Sequence, residues 1–165
     1  MPIETVYQQL KNWSNNATRI VIAGIGNPLR SDDFIGTKIV QQLQNKLSNN
    51  VYLIECETVP ENYLLEIETF NPSHVLLIDA AMLKLTPGKT QLVFPEQLEE
   101  PTTFTTTHAL PLQIFNLYLK QFTTAKTALL LIQPKNITIG ETLTVELKKT
   151  ADQIESMLID LFADL

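Results

Sequence analysis

Five short apolar runs constrain the fold of this chain more than any other feature of its sequence. They lie at residues 19–25, 51–54, 75–78, 90–94 and 128–132, and most are rich in isoleucine, leucine or valine. Short runs that are apolar almost throughout, without alternating polar residues, are typical of strands buried on both faces of a sheet. The sequence therefore predicts five strands.

The segments between these runs have the apolar spacing of helices. Helices are predicted over residues 3–14, 33–48, 60–70 and 142–161, and one more is marked by Leu112, Phe115, Leu119 and Phe122. Residues 95–107, rich in proline and threonine, are predicted to form a loop. Strands that alternate with helices build βαβ units. We therefore expect an α/β fold: one three-layer domain over residues 1–165, with a mostly parallel five-stranded sheet and helices on both faces.

Charge and cysteine content exclude several classes of protein. The 165 residues carry a formal net charge of −6 and no run of lysine or arginine, so nucleic acids and anionic membranes are poor candidate partners. The first residues lack the pattern of a signal peptide, and no apolar stretch approaches the roughly 18 residues that span a bilayer. The single cysteine, Cys56, excludes an internal disulfide. We expect a cytoplasmic protein.

Acidic residues follow the predicted strands at their carboxyl ends. An aspartate pair at 32–33 follows the first strand, Glu-Cys-Glu at 55–57 follows the second, and Asp79 ends the third. His108 lies in the loop after the fourth strand, whereas the other histidine, His74, precedes the third. Ligands of open α/β sheets bind beyond the carboxyl ends of the strands. All these side chains except His74 are therefore predicted to share one exposed rim.

Two carboxylates and an imidazole suit a metal site, a general base with its orienting partner, or an ion-binding switch. The same residues also have structural explanations. Asp33 could cap the following helix, although Asp32 is the better candidate for that role. Asp79 could start a turn, and His108 could be a surface residue. Cys56 is expected to be a small buried residue. From the residues alone these alternatives stay open.

Five motifs, in order along the chain, resemble those of the nickel–iron hydrogenase maturation proteases. Residues 24–36 read GIGNPLRSDDFIG, similar to the family pattern G-x-G-N-x-L-x-x-D-D/E-x-x-G. The others are VPEN at 59–62, IDA at 78–80, TTHALPL at 106–112 and IQP at 132–134. The PEN and TTH elements look most like the branch that processes the hydrogenase of the formate-hydrogenlyase complex.

The resemblance implies an endopeptidase that removes a C-terminal extension from a hydrogenase large-subunit precursor. It also implies that Asp33, Asp79 and His108 are the catalytic and metal-contacting residues. The metal would be nickel already held by the precursor, and other divalent ions such as zinc or cadmium would bind only weakly. The expected partner is the precursor, without nucleic acid or membrane, and the protein is expected to be a monomer.

Three other functions are compatible with parts of the sequence. A non-proteolytic metal-sensing or chaperone-like module would bind a nickel-loaded protein without cutting it. A nucleotide-binding α/β enzyme could use the GIGN turn, although no lysine lies near it to hold phosphate. A cysteine protease could pair Cys56 with His108, although no motif links them. The chain also departs from the family at Phe34, and at Cys56-Glu57, where Gly-Gly is common.

Overall fold

The computed structural model describes residues 2–95, 105–106 and 108–165. A five-stranded sheet lies at its centre. The strands are β1 (Ile20–Ile25), β2 (Val51–Glu57), β3 (His74–Ala80), β4 (Thr90–Val93) and β5 (Lys126–Ile132). Their order across the sheet is β2-β1-β3-β5-β4. β4 runs antiparallel to β5, and the other three neighbouring pairs are parallel, as the sequence predicts for a mostly parallel sheet.

Helices cover both faces of this sheet. They are α1 (Ile3–Trp13), α2 (Ile35–Leu43), α3 (Leu64–Phe70), α4 (Ala109–Phe122) and α5 (Val145–Phe162). Apolar side chains of α1, α2 and α5 pack on one face, and those of α3 and α4 pack on the other. The predicted three-layer α/β fold is therefore confirmed. Within the described residues, no helix combines the length and apolar character that crossing a membrane requires.

Several predicted boundaries differ from the observed ones. α2 ends at Leu43 instead of residue 48, because the backbone leaves the helix at Gln44 and Asn45 adopts a left-handed φ of 62°. The helix predicted over 60–70 is divided into a 3-10 turn followed by α3. The segment 55–57, predicted to follow the second strand, is its last part. The predicted loop at 95–107 lies mostly outside the described residues.

Two glycines allow α2 to pack against the sheet with backbone touching backbone. A Cβ atom on Gly36 would overlap the carbonyl oxygens of Ile25 and Ile78, and one on Gly24 would overlap the carbonyl oxygen of Gly36. This contact places the amino end of α2 directly against the carboxyl ends of β1 and β3. The 3-10 turn that carries Asp33 immediately precedes that contact.

Candidate active site

Asp33 lies in the 3-10 turn Ser31–Phe34, between β1 and α2. The backbone N–H of Asn27 donates a hydrogen bond to its Oδ2 over 3.1 Å. The Asn27 side chain in turn accepts a hydrogen bond from the backbone N–H of Leu29 at 2.9 Å. These bonds hold the Asp33 carboxylate against the loop that follows β1. The carboxylate therefore lies at the carboxyl ends of the parallel strands.

Asp79 is the next-to-last residue of β3, and hydrogen bonds engage both of its carboxylate oxygens. Oδ1 accepts from the backbone N–H of Ala80 at 2.8 Å, and Oδ2 accepts from the hydroxyl of Thr106 at 2.7 Å. Burial raises the pKa of Asp79, and the hydrogen bonds from His108 and Thr106 oppose part of that rise. The carboxylate is therefore fixed in orientation by groups on three sides.

His108 immediately precedes α4 and lies between the two aspartates. Its Nδ1 is 3.2 Å from Oδ1 and 3.1 Å from Oδ2 of Asp79, and its Nε2 is 4.0 Å from Oδ2 of Asp33. Burial lowers the pKa of His108, but the hydrogen bond to Asp79 and the charges of both aspartates outweigh burial and raise it overall. When Nδ1–H donates to Asp79, the neutral ring carries its lone pair on Nε2, the ring nitrogen nearer to Asp33.

The gap between His108 and Asp33 is too long for a direct hydrogen bond and lies near the upper limit for two ligands of one metal ion. The separation of 4.0 Å exceeds hydrogen-bonding distance. Two ligands that each lie about 2.0–2.2 Å from one ion can be up to about 4.3 Å apart. Within the described ranges, no three His, Cys, Asp or Glu side chains form a group able to hold an ion by themselves. Two ligands alone do not complete the coordination sphere of a metal ion.

The three predicted site residues come together, but they are buried and do not form an exposed rim. Asp33 is 3% exposed, Asp79 is 1% exposed and His108 is 5% exposed. The prediction of exposure is wrong because the position of a residue beyond a strand end says nothing about what covers its side chain. Substitutions here are therefore expected to affect stability as well as chemistry.

Asp32 has a different role from the predicted one. No side-chain hydrogen bond caps α2, and the Asp32 carboxylate instead accepts four hydrogen bonds from the segment before α5. The donors are the backbone N–H groups of Lys135, Asn136 and Thr144, and the Thr144 hydroxyl. Thr144 is the N-cap residue of α5. Asp32 therefore lies at the amino end of a helix, but the helix is α5 and not the predicted α2. The capping prediction is wrong, and Asp32 instead fastens the loop at 135–144.

The residues Glu55, Cys56 and Glu57 alternate in burial along β2. Both glutamates are exposed, whereas Cys56 is fully buried among apolar side chains. Burial, with a smaller contribution from nearby glutamates, raises the pKa of the Cys56 thiol to about 12. A neutral, inaccessible thiol is unreactive. This confirms the small buried residue expected from the sequence, and it argues against a nucleophile paired with His108.

His74 lies at the opposite end of the sheet from the site, as predicted. It is the first residue of β3, where the sequence had placed it just before the strand, and it pairs with Ile20 and Lys126 at the starts of their strands. Its Nε2 is 3.0 Å from the carbonyl oxygen of Trp13, and its Nδ1 is 2.9 Å from Oγ of Ser73. The ring therefore links β3 to the end of α1.

Two residues that contact or influence the site are not identified by the sequence reasoning. Thr106 bonds to Asp79, and its position two residues before His108 in the TTHALPL motif is the available signal. Arg30 acts on His108 through its charge, while its Nε donates to the carbonyl oxygen of Ile137 at 3.1 Å. No sequence pattern points to either interaction of Arg30.

The fold agrees with comparisons to known proteins. The sequence pattern described as hydrogenase maturation protease matches residues 37–161 of this chain. A homologue from Methanocaldococcus jannaschii that bears the same family name is 32% identical over 166 residues, covering 96% of each chain. This chain belongs to the hydrogenase maturation protease family.

A more distant relative and a solved structure agree with this assignment. The hydrogenase 3 maturation protease of Escherichia coli K12 is 28% identical over 92 residues, which cover 56% of this chain and 58% of the relative. The crystal structure of HycI, a nickel–iron hydrogenase maturation protease from Thermococcus kodakarensis KOD1, is 28% identical. It superposes with a TM-score of 0.85 and covers 93% of this chain and 97% of that one.

Proposed function

We propose that this protein is an endopeptidase that removes the C-terminal extension of a hydrogenase large-subunit precursor already loaded with nickel. Membership of the family supports peptidase activity, and the name of the E. coli relative supports a hydrogenase as the substrate. The observation that carries the proposal is the facing pair of donor atoms, His108 Nε2 and Asp33 Oδ2, 4.0 Å apart at the carboxyl ends of the strands.

Asp33 and His108 are the proposed contacts to the nickel of the precursor, because carboxylate oxygen and imidazole nitrogen both suit this ion. A nickel ion beside the scissile bond can polarise the carbonyl group or lower the pKa of a bound water. Asp79 holds Nδ1 of His108, as carboxylates behind metal-binding histidines commonly do. A direct contact from Asp79 to the ion, implied by the family resemblance, would require that hydrogen bond to be exchanged. It stays a prediction.

The arrangement supports a metal that arrives with the substrate. A protein that holds its own metal tightly usually supplies three or four ligands, and no such group occurs among the described residues. We therefore expect the isolated protein to bind nickel, zinc or cadmium weakly. Cleavage would then depend on nickel in the precursor, since only that ion would orient the scissile bond against Asp33 and His108.

The test is to incubate the purified protein with one hydrogenase large-subunit precursor in nickel-loaded and nickel-free forms and to follow intact mass. We expect loss of the C-terminal peptide from the loaded form only. Asp33→Asn and His108→Gln should each slow cleavage by about 100-fold or more, because a lost metal contact removes several kcal/mol of transition-state stabilisation. His74→Gln is the matched control, since it changes a buried histidine at the other end of the sheet, and it should retain the rate.

Three other outcomes of this experiment would contradict parts of the proposed function. Equal cleavage of the two precursor forms would contradict the dependence on nickel. An unchanged rate for Asp33→Asn would refute the site. Stable binding of the loaded precursor without any change in its mass would refute the peptidase and favour the metal-sensing or chaperone-like alternative.

A further inference from the structure

Thr106 is a buried threonine whose hydroxyl lies between the side chain of Asp79 and the backbone of His108. Its Oγ1 donates to Oδ2 of Asp79 at 2.7 Å and accepts from the backbone N–H of His108 at 3.1 Å. The residue is 7% exposed. One hydroxyl therefore connects two of the three candidate site residues.

The backbone next to Thr106 is attached to the chain that leaves β3. Thr105 and Met82 form an antiparallel bridge, with hydrogen bonds of 2.8 Å to the Thr105 carbonyl oxygen and 3.2 Å to that of Met82. These two bonds use main-chain atoms only. Thr106 is therefore held near Asp79 independently of its own side chain, so a substitution of that side chain need not detach the segment.

Besides His108 itself, two hydrogen-bond donors determine the orientation of the Asp79 carboxylate. The backbone N–H of Ala80 fixes Oδ1, and the Thr106 hydroxyl fixes Oδ2. Nδ1 of His108 is nearly equidistant from the two oxygens, at 3.2 and 3.1 Å, so the ring follows the orientation of the carboxylate. Without the hydroxyl, Oδ2 loses a donor and the carboxylate can rotate about its Cβ–Cγ bond. The imidazole would then lose its single orientation.

We propose that Thr106 is a positioning residue whose hydroxyl orients the Asp79 carboxylate, so that His108 keeps Nε2 directed toward Asp33 and the metal of the substrate. Its effect on cleavage rests on the proposed function. The orientation of the His108 ring is a property of the protein alone and can be measured without any precursor.

Three variants separate this role from a general contribution to stability. Thr106→Val keeps the shape of threonine but removes the hydroxyl, and Thr106→Ser restores the hydroxyl on a smaller side chain. Thr150→Val is the matched control, because the buried Thr150 hydroxyl donates to the carbonyl oxygen of Gly88 at 3.0 Å, and neither residue belongs to the site. Any effect common to losing a buried threonine hydroxyl should appear in both valine variants.

The measurement is nitrogen NMR of the imidazole rings, made at a pH at which His108 is neutral. The chain has two histidines, so His74 serves as an internal reference. We expect Thr106→Val to shift the Nδ1 and Nε2 signals of His108 toward a mixture of tautomers and to lower kcat for cleavage about 10- to 100-fold with little change in KM. Thr106→Ser and Thr150→Val should keep wild-type His108 signals and kcat.

Unchanged His108 signals in a folded Thr106→Val protein would overturn the proposal, whatever its cleavage rate. Loss of the native chemical shifts of His74 would show that this variant does not fold. In that case Thr106→Ala carries the same test without the branched methyl groups. If neither variant folds while Thr106→Ser does, the hydroxyl is structural and the proposal is refuted. A wild-type protein that cleaves no precursor would count against the proposed function, and the NMR result would still decide the role of Thr106.

Discussion

Asp32→Asn tests whether one buried carboxylate holds the loop at 135–144. Oδ2 of Asp32 accepts from Lys135 N at 3.0 Å, Asn136 N at 2.9 Å and Thr144 Oγ1 at 3.0 Å, and Oδ1 accepts from Thr144 N at 2.7 Å. Asparagine has the same shape but replaces one acceptor oxygen with an amide donor. In either orientation of the amide, its NH₂ group points at one or more backbone N–H groups, so donor meets donor.

The cost follows from these contacts. The least harmful orientation loses the single bond from the Thr144 N–H and leaves a neutral oxygen for the other three donors. A hydrogen bond to a charged group contributes about 1.5–3 kcal/mol and a neutral one about 1 kcal/mol. Relief from burying a charge offsets part of the loss. We expect the free energy of unfolding to fall by about 2 to 4 kcal/mol, which lowers Tm by about 5 to 15 °C in a protein of this size.

Thermal and urea unfolding followed by circular dichroism measure this change. Asp152→Asn is the control, because exposed Asp152 accepts one hydrogen bond from Gln42 at 2.9 Å, and its loss should cost less than about 0.5 kcal/mol. A loss below about 1 kcal/mol for Asp32→Asn would refute the view that the carboxylate fastens the loop. A result equal to that of Asp152→Asn would have the same meaning.

Three further outcomes are expected. Burial lowers the pKa of His74, so only the unfolded chain takes up its proton as the pH falls below about 6.5, and stability declines there. The difference in free energy of unfolding between wild type and His74→Gln should therefore become smaller as the pH falls through that range. A difference that stays constant in urea titrations would contradict this. Cys56 should react with a thiol reagent in the unfolded protein and hardly at all in the folded one, since burial raises its pKa to about 12; rapid colour development from the native protein would show otherwise. Glu57 has a left-handed φ of 52°, so Glu57→Gly should raise the free energy of unfolding by roughly 0.5 to 1 kcal/mol. Glu57→Ala keeps the backbone strain, so it should not raise the free energy of unfolding. Equal urea midpoints for the two variants would contradict strain at this position.

The meeting of Asp33 and Asp79 could be predicted from the sequence because β1 and β3 are parallel, so residues at or just after their carboxyl ends lie at one edge of the sheet. The same reason does not hold for His108, since β4 is antiparallel and its carboxyl end lies at the opposite edge. His108 reaches the site because it immediately precedes α4, which leads back to the amino end of β5. The rule for parallel strands also predicts that His74, which precedes the third strand, lies at the opposite end of the sheet, and the structure confirms this prediction. The resemblance to the family added roles for these residues, which the rule alone could not supply.

The role of Asp32 could not be predicted because its partners are distant in the sequence. Its partners lie 103 to 112 residues further along the chain, at Lys135, Asn136 and Thr144. An aspartate just before a predicted helix indicates a helix cap, because that pattern is local. The sequence predicts an α2 that is too long for a related reason. Leu47 continues the apolar spacing of the helix and packs against the same core, but it does so from a bend beyond the end of the helix.

The contact of Gly24 and Gly36 bears on how such a protein can change over evolutionary time. Where side chains separate a helix from a sheet, each core substitution alters the spacing and displaces whatever the helix carries. Here main-chain atoms set the spacing at the amino end of α2, and main-chain atoms are the same in every residue. The rest of the core can therefore diverge widely while Asp33 stays in place. Replacement of either glycine, in contrast, would displace the amino end of α2 together with the turn that carries Asp33.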